Sequence, residues 1–343
     1  MKVLSFRGSS ASFKAFILAL LWLGVISLLH ASVNREKTAS QKVRMGYMPV
    51  ISNLAAPLVD AATAGSPVHF EALKFGSFAE IAEAFRSGHI QAAFIIAPLA
   101  VALSSQGVPL KIVYIGNRHE STLVVRKDES AASLAEMSGK TLAVPIRYSG
   151  HLLAVKRYLR HHGMDPRAVR ILEIPPPDMP SALVTGDIHG YFVGEPFASR
   201  SIQSGVGRRL LDAEEIWPGF VCNVLIVRDE LIRSHPERVG DLVKGCVRSG
   251  IRVRENFEET LGILSRYWGQ DPQFVRYVFE NPPNRFRYDL CVPVRSEIEE
   301  LVREMETEGL ISASSEVGDF LEDRYARAAV EGLREPLLGL TKR

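Results

Sequence analysis

A near-repetition restricts what this chain can fold into more than any other feature. Residues 121–129 read STLVVRKDE, and residues 222–230 read CNVLIVRDE. Each is an apolar strand that ends in arginine and acidic residues and leads into a helix-like stretch. The segment between them has a βαβ pattern of its own. Residues 140–145 read as a strand, and 149–162 as a helix along Leu152, Val155 and Leu159 that stops at Gly163. A strand at 169–174, a short helix at 179–185, a strand at 190–193 and a helix at 196–204 with Pro196 at its first position complete it. A unit inserted between two matching strands implies two lobes joined by two crossing segments. A cleft that opens and closes then lies at the crossing.

The flanking sequence has the same grammar. Strands are expected at 43–47, 68–73, 91–96 and 111–115, and helices at 53–64 and from about Pro98 onward. Ser77 and Glu80 form a capping box, with Phe78, Ile81, Ala82 and Phe85 on one helical face and Gly88 closing it. After the second matching strand the chain turns helical, over 236–254, 258–268, 272–280, 296–307 and 320–333. Short apolar runs alternating with amphipathic stretches give an α/β chain with mostly parallel sheets. The expected division is residues 41–125 as the first part of lobe one and 126–222 as lobe two. Residues 223–333 then return to lobe one with the C-terminal helices, leaving 334–343 as a tail.

Composition narrows function by exclusion. Hydrophobic residues make up 46% and charged residues 23% of 343, enough for substantial cores in two lobes. The 41 basic and 39 acidic side chains nearly cancel, and no basic block carries interleaved aromatics, so a nucleic-acid partner has no electrostatic support. Cys222, Cys246 and Cys291 are too widely spaced for a metal cluster or a disulfide framework, and three buried free thiols are expected. Residues 1–40 stand apart. Lys2, Arg7 and Lys14 precede an apolar run at 15–29, whose length suits a signal-peptide core and falls short of a comfortable membrane span. With only a weak cleavage site near Ala31, the segment is either a removed signal peptide or an uncleaved N-terminal membrane anchor, and the rest of the chain is exported in both cases.

Motifs for catalysis fail on inspection. Gly139-Lys140-Thr141 resembles the end of a phosphate loop, but Leu134 replaces the opening glycine. No Gly-x-Ser-x-Gly elbow or His-Glu-x-x-His helix occurs. What recurs is a helix N-terminus after a strand, at Ser52-Asn53, at Gly76-Ser77-Phe78, at Ser149-Gly150-His151 and at Gly194-Glu195-Pro196. Free N–H groups and the helix dipole favour polar or anionic groups there, and in parallel α/β sheets such ends gather where ligands bind. The serines either contact a ligand or only cap their helices. His151, in the first turn of a helix, is expected to be neutral and either touches a ligand or lies on polar surface. Glu195 caps its helix or also binds a ligand amine or hydroxyl. Phe78 and Trp217 wall a cleft or belong to the core.

Residues 149–207 contain SGHLLAVKRYLRHHGMDP, IPPPDMPSAL and GYFVGEPFASRSIQSGVG, and the start contains MGYMPVISNLAAPL and KFGSFAEIAEAFRSG. Together these resemble the nitrate/bicarbonate-binding branch of the ABC-transporter substrate-binding proteins, within the nitrate/sulfonate/taurine group, over about residues 43–254. The resemblance implies a type II periplasmic-binding-protein fold. It also implies no enzymatic activity, no cofactor or metal, a small-molecule solute, a usually monomeric form, and an ABC permease with its ATPase as partners. By matching position, Phe78 stands where nitrate binders have a tryptophan, and His151 and Glu195 match their ligand-contacting histidine and glutamate. Asn223 falls at about the place of a lysine, which points away from nitrate toward a neutral or zwitterionic solute, with Arg118 and Arg147 as other sources of charge. The candidate ligand set, from the helix starts and the resemblance together, is Ser52, Asn53, Ser77, Phe78, Tyr148, Ser149, His151, Glu195 and Asn223. Two other classes share these features: a pyrimidine-precursor-synthase-like enzyme on the same fold, and a membrane-anchored sensor or binding module.

Overall fold

The computed structural model describes residues 17–27, 41–312 and 320–333. Residues 17–27 are helical and exposed, and the remainder of the expected N-terminal signal or anchor, like the tail at 334–343, lies outside the described residues. Among the described residues no helix is long and apolar enough to cross a membrane.

Among the described residues ten strands form two five-stranded sheets. The first sheet holds β1 (Gln41–Tyr47), β2 (Val68–Lys74), β3 (Ala92–Ile96), β4 (Leu110–Asn117) and β10 (Asn223–Arg228), in the order β2-β1-β3-β10-β4. The second holds β5 (Ser121–Arg126), β6 (Thr141–Val144), β7 (Arg170–Glu173), β8 (Gly190–Gly194) and β9 (Gly207–Asp212), in the order β7-β6-β8-β5-β9. The two orders are the same pattern. In each, one strand runs antiparallel to both neighbours: β10 between β3 and β4, and β5 between β8 and β9. These are the two near-repeated sequences, so their likeness reflects equivalent places in two equivalent sheets. Central strands β3 and β8 are buried along their whole length, as a strand covered on both faces must be.

Three expectations need correction. The change-over from first to second lobe was expected after residue 125, but β5 hydrogen-bonds only within the second sheet, so the crossing is at residues 118–120. Pro196 is the N-cap of the helix Phe197–Gln203, not its first residue, and follows a cis peptide bond. The helix Arg295–Thr307 does not simply return to the first lobe. It packs Ile298, Leu301, Val302 and Met305 into a continuous apolar cluster that includes Ile81, Phe85 and Ile95 of one lobe and Leu123, Val144 and Phe192 of the other. The helices Pro236–Glu255, Phe257–Trp268 and Pro272–Glu280 do cover the first sheet, on its opposite face, with Val43, Met45 and Leu225. Strand β9 and the short helix Ala213–Ile216 were not anticipated. All three cysteines are free and buried, as expected.

Helix Arg295–Thr307 acts as a strap between the lobes. Arg157, on the helix Gly150–His161, donates to Glu300 at 2.6 Å and to Glu304 at 3.1 Å, and its guanidinium lies 4.7 Å from the centre of the Trp217 ring. Arg160 pairs with Glu304 and Glu308. Arg118, at the first crossing, donates to Glu297 at 2.7 Å. Glu304 serves two arginines at once and is largely shielded from solvent, so its loss leaves both undercompensated. Glu304→Ala is expected to lower the unfolding free energy by about 1–2 kcal/mol at low ionic strength and by less in about 1 M salt. Urea denaturation at the two salt concentrations checks this, and equal stability of variant and wild type at low salt contradicts it.

Candidate functional site

The parallel strands of both lobes deliver their carboxyl ends to the crossing, where ligands bind in open α/β sheets. From the first lobe, β1 leads into a 3-10 turn, Ile51–Asn53, that is buried throughout. From the second, β6 leads to Ser149 and the helix Gly150–His161, and β8 leads to Glu195. The crossing strands supply Ser121, opposite Gly194, and Asn223, opposite Ile96 and Asn117.

One residue connects the two sides. The Glu120 carboxylate accepts from the Ser52 N–H at 2.9 Å and the Ser52 hydroxyl at 2.8 Å. Its carbonyl accepts from the Glu195 N–H at 3.1 Å, and the Glu195 carbonyl accepts from the Ile51 N–H at 2.9 Å. Glycine makes this approach possible. A Cβ on Gly194 would stand 2.6 Å from Glu120 Oε1, and one on Gly116 would stand 1.9 Å from the Ser52 carbonyl oxygen.

A second run of polar contacts joins the histidine to the asparagines. His151 Nε2 and Ser121 Oγ are 2.9 Å apart, Ser121 donates to Cys222 Sγ at 3.5 Å, and Cys222 lies 3.6 Å from Asn223 Oδ1. Asn223 Nδ2 donates to Asn53 Oδ1 at 2.7 Å, and Asn53 Nδ2 donates to the Met48 carbonyl at 3.1 Å. His151 is 2% exposed, edge-on to Phe192 and tilted against Phe220, so it is not surface. Burial pushes its pKa down to about 3, which leaves a neutral, weakly basic ring. Its Nδ1 has no partner. A serine beside a histidine resembles a nucleophile and its base, but this imidazole is poorly basic and no third group orients it.

Of the other residues singled out from sequence, Phe78 and Trp217 lie in the apolar cluster shared by the lobes. Tyr148 packs half-buried against that cluster. Ser77 accepts from the Glu80 N–H and Ser149 from the Leu152 N–H, both at 3.2 Å, so both hydroxyls cap helices. Glu80 reaches back to the Gly76 N–H at 3.2 Å, one residue before the expected partner. Glu195 accepts from the Ser199 N–H at 2.8 Å and so caps its helix as well. Arg147 is exposed and paired with Glu173, and Arg118 is held by the Leu290 and Gly219 carbonyls and Glu297. Neither brings a free charge to the crossing.

Sequence reasoning missed Glu120, Ser121, Cys222 and Arg285. Matching β5 with β10 from their terminal arginines pairs Ser121 with Asn223 and Glu120 with Cys222, a signal present in the near-repetition. Arg285 had no such signal. It reaches from the C-terminal part of the chain to the Thr122 hydroxyl at 2.7 Å, the Ser121 carbonyl at 2.8 Å, Asp212 at 2.9 Å and Glu214 at 3.2 Å, with Glu195 at 4.0 Å. Among the described residues no group of three acidic, histidine or cysteine side chains is arranged to hold a metal.

Burial raises the pKa of both Glu120 and Glu195 to about 7, against which the Ser52 contacts and Arg285 respectively work. The folded chain therefore holds protons on these carboxyls that the unfolded chain has released. Their contribution to stability is present at low pH and is lost as pH rises from about 4.5 to about 7. His151, lowered to about 3, acts in the opposite sense from about pH 3 to 6.5, so the two effects are separated by substitution. A Glu120→Gln, Glu195→Gln double variant is expected to gain thermal stability relative to wild type between about pH 5 and about pH 8. A difference in melting temperature that does not change across that window contradicts the assignment.

The matches to known proteins agree with this geometry. The model of the NMT1-like family matches residues 36–261. The taurine-binding periplasmic protein of Escherichia coli is 27% identical over 272 residues, covering 74% of this chain and 82% of that protein. The nitrate/nitrite binding protein NrtA of a Nostoc species is 23% identical over 271 residues, covering 68% of this chain and 59% of that protein. Among solved structures, a ligand-binding component of an ABC-type import system from Staphylococcus aureus superposes with a TM-score of 0.76 at 22% identity, covering 84% of this chain and 99% of that one. The periplasmic nitrate-binding protein NrtA of Synechocystis gives a TM-score of 0.74 at 17% identity, covering 87% and 90%. These likenesses establish the fold as that of the type II periplasmic binding proteins. With two lobes, two crossings and a family match over most of its length, the chain belongs to the NMT1-like family.

Proposed function

We propose that this protein is the solute-binding component of an ABC importer, exported from the cytoplasm by its N-terminal segment and acting as a monomer. It captures a small molecule at the crossing by closing its lobes and hands it unchanged to a permease driven by an ATPase. The observation that carries this reading is the shared polar site. Ser52 and Asn53 of one lobe and Ser121, His151 and Glu195 of the other meet through Glu120 and Asn223, all of them 2% exposed or less. A solute among these groups is sealed from water only while both lobes contribute. Binding and closure are then one equilibrium. Relatives named for taurine binding, nitrate/nitrite binding, nitrate import and bicarbonate transport support the assignment to import. Asn53, His151, Glu195 and Asn223 are the residues assigned to solute contact. Phe78 and Tyr148 wall the site from the apolar side, and Ser52, Ser77 and Ser149 set the helix ends around it.

Native mass spectrometry of freshly purified protein is expected to show one small solute per chain. His151→Ala and Asn223→Ala are each expected to weaken its retention at least ~tenfold, equivalent to about 1.4 kcal/mol. Equal occupancy in wild type and both variants contradicts the site.

A further inference from the structure

The chain between the helices Pro272–Glu280 and Arg295–Thr307 is anchored to both lobes. Arg285 holds the second lobe, through Thr122, Asp212, Glu214 and the Ser121 carbonyl. A few residues on, the contacts are to the end of β4 and the first crossing. The Arg287 N–H donates to Asn117 Oδ1 at 3.4 Å, the Leu290 carbonyl accepts from Arg118 Nε at 3.1 Å, and the Cys291 carbonyl accepts from the Ile115 N–H at 2.8 Å. Tyr288 stands between these anchors and is 5% exposed. The helix Pro236–Glu255 packs so closely on it that a Cβ on Gly250 would lie 2.6 Å from the Tyr288 Cβ.

Asn117 closes β4 opposite Asn223 of β10 and is 1% exposed. Its side-chain oxygen takes three backbone N–H groups, from Arg118 at 2.6 Å, His119 at 3.0 Å and Arg287. That fixes the amide, because the reversed orientation would set its NH2 group against three donors. The fixed Nδ2 faces away from them and has no partner. The Tyr288 hydroxyl lies beside Asn117, short of hydrogen-bonding geometry, and has no partner either. Burial, with Glu120 nearby adding to it, pushes the pKa of this hydroxyl well above its ordinary value, so it stays protonated. His151 Nδ1, at the other end of the run through Ser121, Cys222 and Asn223, is also unfilled. Buried polar groups are hydrogen-bonded almost without exception, so unfilled ones gathered where two lobes meet mark the place of a ligand's polar atoms.

We infer that Asn117 and Tyr288 are further solute-contacting residues, and that the chain from Arg285 to Cys291 forms a third wall of the site. This rests on the solute-binding reading above and adds residues to it that neither the helix starts nor the resemblance reached. Asn117 donates to an acceptor atom of the solute, while the Tyr288 hydroxyl turns to donate or accept.

The test uses the full chain, and its probe is the solute released from wild type by denaturation. Tyr288→Phe removes only the hydroxyl, and Asn117→Asp keeps the oxygen that takes the three N–H groups while removing the donor. Emptied, refolded proteins are melted and then titrated calorimetrically with the released solute. Tyr288→Phe deletes a buried group that has no partner in the chain, so the emptied variant is expected to melt at or above the wild-type temperature. Its affinity for the solute is expected to fall at least ~threefold, and that of Asn117→Asp at least ~tenfold. Unchanged affinity in Tyr288→Phe, or a loss accompanied by a lower melting temperature of the emptied protein, overturns the inference and leaves solute capture intact. Should wild type release no solute, a thermal-shift panel of small carboxylates, sulfonates, amines and amino acids supplies the probe. A stabilisation of wild type that Tyr288→Phe diminishes supports the inference, one that it leaves unchanged overturns it, and no stabilisation by any compound overturns both readings.

Discussion

The structure depends on what Glu120 does at the first crossing. Its side chain takes both donors of Ser52 from one lobe, while its carbonyl takes the Glu195 N–H from the other. Burying a carboxyl group is costly unless it is hydrogen-bonded, and Ser52 supplies two donors to Glu120 from across the crossing. Two glycines, Gly116 and Gly194, exist where a Cβ would prevent the approach. The polar site, the lobe contact and the passage of the chain between the sheets are thus one local arrangement.

Much of the fold was legible because two sheets with the same order demand two similar antiparallel strands. The recurrence of VVR and IVR is the trace of that demand in the sequence. The boundary was misplaced because β5 is as apolar as a strand of the first lobe, and only its pairing with β8 and β9 says otherwise. Strand β9 escaped because Arg208 and Arg209 interrupt its apolar pattern near the sheet edge. The strap was read as a covering helix because its apolar stripe of Ile298, Leu301, Val302 and Met305 does not say which lobe it faces. It faces both.

The site was legible in part, for the same reason. Helix starts after strands gave Ser52, Asn53, His151 and Glu195, since topology places such ends together. Ser77 and Ser149 share the local pattern, yet their hydroxyls are used up in capping. Arg285 comes from a distant part of the chain with no motif around it, and its importance lies in four partners that only the fold assembles. Asn223, the clearest departure from the resembled group, takes on a specific meaning in that setting. It donates to Asn53 at 2.7 Å and so ties the second crossing strand to the first lobe's 3-10 turn.

Surface grooves of 670 Å³ beside Phe257 and Arg276 and of 850 Å³ beside Val59 and Arg248 are lined by the first lobe and its C-terminal helices, with no residue of the second lobe. Hydrogen–deuterium exchange with and without the copurifying solute decides between them and the crossing. The account predicts slower exchange together at residues 50–53, 119–122, 149–152, 194–199 and 220–224, in both lobes at once. Protection confined to the grooves of the first lobe, with the crossing unchanged, would contradict it.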